Sequence, residues 1–252
     1  MARPDPLAGK VALVTGGARR IGRAICLRLA QDGAAIAVNA RSSIGQVDET
    51  VAAIKAEGGD AMAALADITD PLANARMIEA IIARYGRLDI IVHNAVAREH
   101  GSFDELTLEA WRAAHAVVSD GAFLTLKHAA PHLAKTGGAV VFISGATAFM
   151  GAPGPATPAA KSALVGLMRS FAVTYGPKGV RANLVSPGRI EAEDDSAARK
   201  GFLAKGRPDE QIPLRRPGRP EEIANLVAAV AGPDFSYVTG QVIHATGGYF
   251  MG

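Results

Sequence analysis

Thr15-Gly16-Gly17-Ala18-Arg19-Arg20-Ile21-Gly22 is a glycine-rich turn between two regular elements. It follows a short apolar run, Lys10–Thr15, and opens a helical stretch over Ile21–Gln31. In that context each glycine has a use. Gly16 allows a tight turn, and Gly22 allows a helix to pack closely on a sheet. The amides at the helix start, with the helix dipole behind them, can hold a pyrophosphate. Alone, the turn also reads as a plain strand–helix connection, so its meaning depends on the residues around it.

Outward from this turn, strands and helices alternate. Ala35–Asn39 reads as a strand, Val47–Glu57 as a helix, Ala61–Ala66 as a strand and Leu72–Tyr85 as a helix. Leu88–His93 is a strand, Leu108–Leu133 one long helix, Ala139–Ser144 a strand and Thr157–Tyr175 a helix. Arg181–Val185 is a strand, and Pro220–Val230 a helix begun by proline with Glu221 and Glu222 in its first turn. Gln241–His244 is the last strand. Such alternation predicts an α/β fold, a Rossmann-type doubly wound parallel sheet in a single domain over residues 1–252. Arg189–Pro217 is polar and irregular. A segment of that kind after a strand's carboxyl end is expected to cover a ligand crevice on the substrate side.

The bulk composition fits. At 252 residues and 49% hydrophobic, the chain can bury a sheet on both faces. Net charge is +3 with the charges interspersed, so no basic block suggests nucleic acid. The single cysteine, Cys26, excludes an internal disulfide and lies in an apolar helical stretch, where it is expected to be buried and inert. No apolar run reads as a signal peptide or a bilayer span, and a cytoplasmic location is the default expectation. No metal site is expected.

The end of the second strand bears on which nucleotide the turn would hold. A site for NAD wants an acid there to accept from the ribose 2′-hydroxyl. Here the strand runs into Asn39-Ala40-Arg41-Ser42, with no acid. A carboxylate would repel a 2′-phosphate, whereas Arg41 and Ser42 can bind one. Arg19 and Arg20 can add charge on the same side. NADP(H) is therefore the expected cofactor.

The sequence resembles the short-chain dehydrogenase/reductases over nearly its whole length. Thr15-Gly16 through Gly22 matches the family's glycine turn, with Arg20 where its middle glycine stands, as in the pteridine reductases. Asp67-Ile68 matches the pair that contacts adenine, and Asn94-Ala95 matches the Asn-Ala-Gly turn, with Val96 for the glycine. Pro187-Gly188, and Ile190 with them, match the segment facing the nicotinamide. Arg216 to Ala224, and Thr239-Gly240-Gln241 followed by Gly247-Gly248, match the C-terminal signature.

What the resemblance implies for catalysis is a tetrad of Asn, Ser, Tyr and Lys. Lys161 fits the Lys position and would also bind the ribose. The Tyr position, four residues earlier, is Thr157; the Ser position, 13 residues before that, is Ser144; the Asn position, seven after Trp111, is Val118. Half of the tetrad is missing. A phenol ionises near pH 10 and an aliphatic hydroxyl, like water, only far above that, so a hydroxyl at 157 faces a handicap of about 8 kcal/mol as a proton donor. The family's threonine after the Pro-Gly pair is Ala192 here. Lys161, or a water on it, is a substitute donor, and His115 is next in line. His93 and His100 read as structural. A Ser144–Lys161 nucleophile–base pair would leave the nucleotide turn without a purpose.

Two functions are compatible with these residues. One is an NADP(H)-dependent oxidoreductase acting on a small carbonyl, imine or pterin-like substrate with a non-standard proton donor. The other is a catalytically silent NADP(H)-binding sensor, scaffold or oligomer subunit. The resemblance also implies a homodimer or homotetramer built on the helices Leu108–Leu133 and Thr157–Tyr175.

Overall fold

Apolar strands hydrophobic on both faces must be covered on both, and the chain does this with helices on each side of one sheet. The computed structural model describes residues 5–97, 101–191 and 209–252. Seven strands, β1 (Val11–Thr15), β2 (Ala35–Val38), β3 (Ala61–Ala63), β4 (Ile90–His93), β5 (Ala139–Ile143), β6 (Arg181–Pro187) and β7 (Val242–Ala245), pair in parallel in the order β3-β2-β1-β4-β5-β6-β7. The described helices are α1 (Arg20–Gln31), α2 (Ile44–Ala56), α3 (Pro71–Tyr85), α4 (Leu108–His115), α5 (Gly121–Thr136), the single turn α6 (Thr147–Met150), α7 (Ala156–Tyr175) and α8 (Pro220–Ala231).

Alternation along β1 shows the two layers. Val11 and Leu13 join the core shared with α5 and α7, where Leu126, Phe142, Leu164 and Met168 are buried. Ala12 and Val14 join the core under α1, α2 and α8, with Ile25, Leu29, Ile54 and Val227. Strand order reverses between β1 and β4, whose register puts Thr15 beside His93. A reversal of this kind opens a crevice at the carboxyl ends of the strands. No described helix is long and apolar enough to cross a membrane.

The expected fold holds, with local differences. The stretch read as one helix over Leu108–Leu133 is α4 and α5 joined by a π-helical turn, Ala116–Asp120. Such turns release a carbonyl from the regular ladder. Here the Val118 carbonyl accepts from His93 Nε2 at 2.9 Å. The strand expected over Ala61–Ala66 is only three residues long, although the chain beyond it stays tied to β2's end. The turn α6 has no periodicity long enough to announce it. Residues 192–208, most of the segment expected to cover the crevice, lie outside the described residues, as do His100 and Ala192.

Candidate active site

The glycine turn leaves β1 through Gly16, whose φ of +63° favours glycine. A Cβ on Gly16 would stand 3.1 Å from both Ala95 Cα and Asn94 Nδ2. At Gly22 it would stand 2.0 Å from the Gly16 carbonyl oxygen. The wall of the turn is therefore bare backbone, as a cradle for a pyrophosphate requires. Asn94 braces it, donating from Nδ2 to the carbonyls of Thr15 (3.2 Å) and Gly16 (3.0 Å). Arg20 has a φ of +50° where the resembled family has glycine. A left-handed backbone at a non-glycine residue costs roughly 1–2 kcal/mol. Beneath the turn, Cys26 is fully buried, and burial pushes its thiol up, so it is inert as expected.

Beside the turn, His93 is neutral. Thr15 Oγ1 accepts from the Asn94 and Ala95 amides, so its own hydrogen goes to His93 Nδ1, 3.3 Å away. That leaves Nε2 as the donor to Val118. Burial holds the imidazole down at about 4, with the charge of Lys161 adding to the effect. The histidine ties β1, β4 and the π turn together.

A cleft of about 950 Å³ opens over the carboxyl ends of the strands. Gly16, Arg19, Arg20, Ile21 and Gly22 line one end. Asn94 and Ala95 lie along it, and Ser144, Lys161, Pro187, Gly188 and Ile190 line the rest. Arg41 and Ser42 are exposed beyond β2 and outside the cleft lining. The Gly17 amide donates to the Asn39 carbonyl at 2.8 Å, so the segment carrying them departs from the side of the glycine turn. Asp67 folds into its own turn, accepting from the Thr69 amide and hydroxyl. Ile68 is buried, and a Cβ on Gly121 would meet it at 2.8 Å. Neither side chain lines the cleft.

The catalytic candidates are placed differently from one another. Ser144 is 1% exposed, and its Oγ donates to the Lys161 carbonyl at 3.4 Å. The hydroxyl is turned toward the backbone of α7. The next residue faces the lysine instead: a Cβ on Gly145 would lie 3.6 Å from Lys161 Nζ. The position able to offer a hydroxyl beside Lys161 carries none. Thr157, half-buried in the first turn of α7, is outside the cleft lining. Lys161 does reach the site, its Nζ donating to the Ser144 carbonyl at 2.5 Å. His115 packs against Trp111, with centroids 4.6 Å apart and the rings tilted by 36°, and lines no part of the cleft. Residues that the sequence had not singled out also line it, among them Gly145, Met150, Ile212 and Tyr249. For Tyr249 a signal existed, since it directly follows the Gly247-Gly248 pair of the C-terminal signature.

Fold and cleft together define an oxidoreductase framework of one kind, and the chain belongs to the short-chain dehydrogenase/reductase family. A family model described as enoyl-(acyl carrier protein) reductase matches residues 16–250. An uncharacterized oxidoreductase of Methylorubrum extorquens is 38% identical over 250 residues, covering 96% of this chain and 98% of the relative. A 3-oxoacyl-(acyl-carrier-protein) reductase, FabG, of Staphylococcus aureus is 34% identical over 96% of this chain and 98% of its own. Among solved structures, a short chain dehydrogenase from Burkholderia cenocepacia in complex with NADP aligns at TM-score 0.89 with 33% identity, over 97% of this chain and 99% of that one. A blue fluorescent protein from a metagenomic library, in complex with NADPH, aligns at TM-score 0.89 with 34% identity, over 98% of this chain and 100% of that one.

Proposed function

We propose that the protein is an NADPH-dependent reductase of a small carbonyl, imine or pterin-like compound, with a proton donor other than residue 157. The observation that carries this is the union, in one cleft, of a bare-backbone cradle with Lys161. NADP(H) is the cofactor. The residues fit it: glycines whose Cβ atoms would collide with the turn's own backbone and with Asn94, arginines at 19, 20 and 41, and no acid at the end of β2. Two relatives carry NADP or NADPH in their solved structures.

When bound, the reduced nicotinamide supplies a hydride. The chain's own part is to bind, orient and protonate. The amides at the start of α1 hold the pyrophosphate, and Arg41 and Ser42 hold the 2′-phosphate, helped by Arg19 and Arg20. The Asp67-Ile68 backbone borders the adenine. Pro187, Gly188 and Ile190 border the nicotinamide, and Glu191 and Ile212 border the substrate. Lys161 holds the ribose and is the cation next to the reacting oxygen. Substrate oxygen meets no hydroxyl at 145 and no phenol at 157, which is also what favours the rival, a protein that binds NADPH without turnover.

Cofactor choice tests the binding half. Arg41→Asp should weaken NADPH by about 10-fold or more and relatively favour NADH, since a bound phosphate loses one charged hydrogen-bond partner and gains a repelling one, about 1.5–3 kcal/mol. Fluorescence titration of both cofactors reads this. Equal affinity for NADPH and NADH in the unmodified protein would refute it.

A symmetric homo-oligomer, dimer or tetramer, belongs to the same proposal. Phe123 on α5 and Val173 on α7 are 51% and 79% exposed, apolar side chains on helices that the sheet covers on one face only. Closed symmetry is the common way to cover such faces. Light scattering should give twice or four times the 26.0 kDa chain mass. A strict monomer at micromolar concentration would overturn the assignment.

A further inference from the structure

Residue 157 brings no phenol, yet a phenol lines the cleft. The chain has four tyrosines. Tyr85 and Tyr175 end α3 and α7, and Tyr237 is fully exposed. Tyr249 lines the cleft together with Lys161 and Gly145, and its hydroxyl is closed off from solvent.

The turn that carries Tyr249 is held from several sides. Thr246 Oγ1 accepts from the Phe250 amide at 3.2 Å and donates to the Phe250 carbonyl at 3.1 Å. The Tyr249 amide donates to the Thr246 carbonyl at 3.2 Å. A Cβ on Gly188 would lie 2.8 Å from Thr246 Cα, so the turn presses on the segment after β6. A Cβ on Gly247 or Gly248 would meet Ile212 or Pro213 at 2.8 Å. Phe250 packs on His244 and Phe149, with centroids 4.6 and 6.0 Å away, and Phe149 belongs to α6, the turn that follows Gly145. Residue 249 is therefore fixed between the segment after β6 and α6. The same two segments approach Lys161: a Cβ on Gly145 would lie 3.6 Å from Lys161 Nζ and 4.0 Å from the Pro187 carbonyl oxygen.

We infer that Tyr249 supplies the proton that residue 157 cannot, with Lys161 as the neighbouring charge that stabilises its phenolate. The inference rests on the reductase reading above. In the step, a hydride from reduced nicotinamide forms the new C–H bond, and the carbonyl π pair moves onto oxygen. With substrate and cofactor seated, the Tyr249 phenol turns its covered hydroxyl toward that oxygen, which takes its proton. The phenolate left behind is reprotonated by the Lys161 ammonium, which recovers its proton from water. A phenol is suited to this work where an aliphatic hydroxyl is not. It reaches the cleft here from the C-terminal turn instead of from α7.

Two measurements test it, both on the full chain saturated with NADP⁺ or NADPH. In the first, the ultraviolet phenolate titration at 295 nm of the unmodified protein, minus that of Tyr249→Phe, isolates the ionisation of residue 249. Repeating the pair in a Lys161→Met background should move that ionisation up by about one pH unit or more, because an adjacent ammonium favours the charged phenolate. An unchanged position would overturn the inference. In the second, NADPH oxidation is followed with ethyl acetoacetate and 2-methyl-1-pyrroline as probes. Tyr249→Phe should lower kcat by about 10² to 10⁴, with KM and NADPH affinity nearly unchanged and the alkaline limb of the pH profile altered. Full kcat in Tyr249→Phe would also overturn it. If neither probe is reduced, the titration alone decides. Failure of the unmodified protein to bind NADPH would sink the reductase reading itself, and that outcome is distinct from an unlinked Tyr249.

Discussion

Gly22→Ala should lower NADPH affinity by at least about 100-fold, or about 2.7 kcal/mol. The cause is steric. The new Cβ would fall 2.0 Å from the Gly16 carbonyl oxygen and 2.7 Å from Asn94 Nδ2, so neither neighbour can stay where it is. Both belong to the cradle: Gly16 turns the chain, and Asn94 bonds the carbonyls of Thr15 and Gly16. Moving them misdirects amides whose hydrogen bonds to a charged group are worth about 1.5–3 kcal/mol each. Overpacking itself costs about 1–3 kcal/mol more in stability. Fluorescence titration with NADPH measures the first effect and thermal melting the second. Native affinity in a folded Gly22→Ala protein would show that the cleft does not hold the pyrophosphate at this turn.

Lys161→Ala should abolish turnover, by about 10³-fold or more, while NADPH binding weakens only by about 10-fold. Lys161 is the one charged side chain that reaches the β5 end of the cleft from α7, and it donates to the Ser144 carbonyl. Removing it takes away both a hydrogen bond to the ribose and the cation that supports proton transfer, and acid–base assistance alone is commonly worth about 10² to 10⁴. The split between kcat and cofactor affinity separates a chemical from a binding role. NADPH oxidation at 340 nm and a cofactor titration on the same preparation give both numbers. Unchanged turnover would remove Lys161 from the chemistry. Thr157→Tyr tells against a simple restoration of the family's arrangement if it stays inactive, because Gly145 would still bring no hydroxyl to meet the substrate oxygen.

The layers of the fold were readable because the strand and helix periods are strong and the glycine turn falls between β1 and α1, where only backbone can pass. The π turn at Ala116–Asp120 was not readable. Nothing in Ala-Val-Val-Ser-Asp departs from ordinary helix chemistry, and the partner of the Val118 carbonyl, His93, lies 25 residues away. Ser144 shows a different limit. Counting 13 residues back from 157 assumes a fixed number of residues between strand and helix, and at a strand end an offset of one residue exchanges the two faces. The count chose the residue facing α7, and its neighbour Gly145 faces the lysine. Tyr249 escaped for a third reason. Its proximity to the cleft comes from Thr246 abutting Gly188 across strands β6 and β7, a contact between residues 58 apart that no local pattern encodes.

An altered set of cleft residues should still reduce a substrate with NADPH. The most direct measurement is NADPH oxidation at 340 nm by the purified protein against a broad panel of small ketones, imines and pterins, with NADH in parallel. Turnover of at least one compound, faster with NADPH than with NADH, is the expected result. Tight NADPH binding with no turnover of any compound in the panel would contradict it and leave a protein that holds the cofactor without using it.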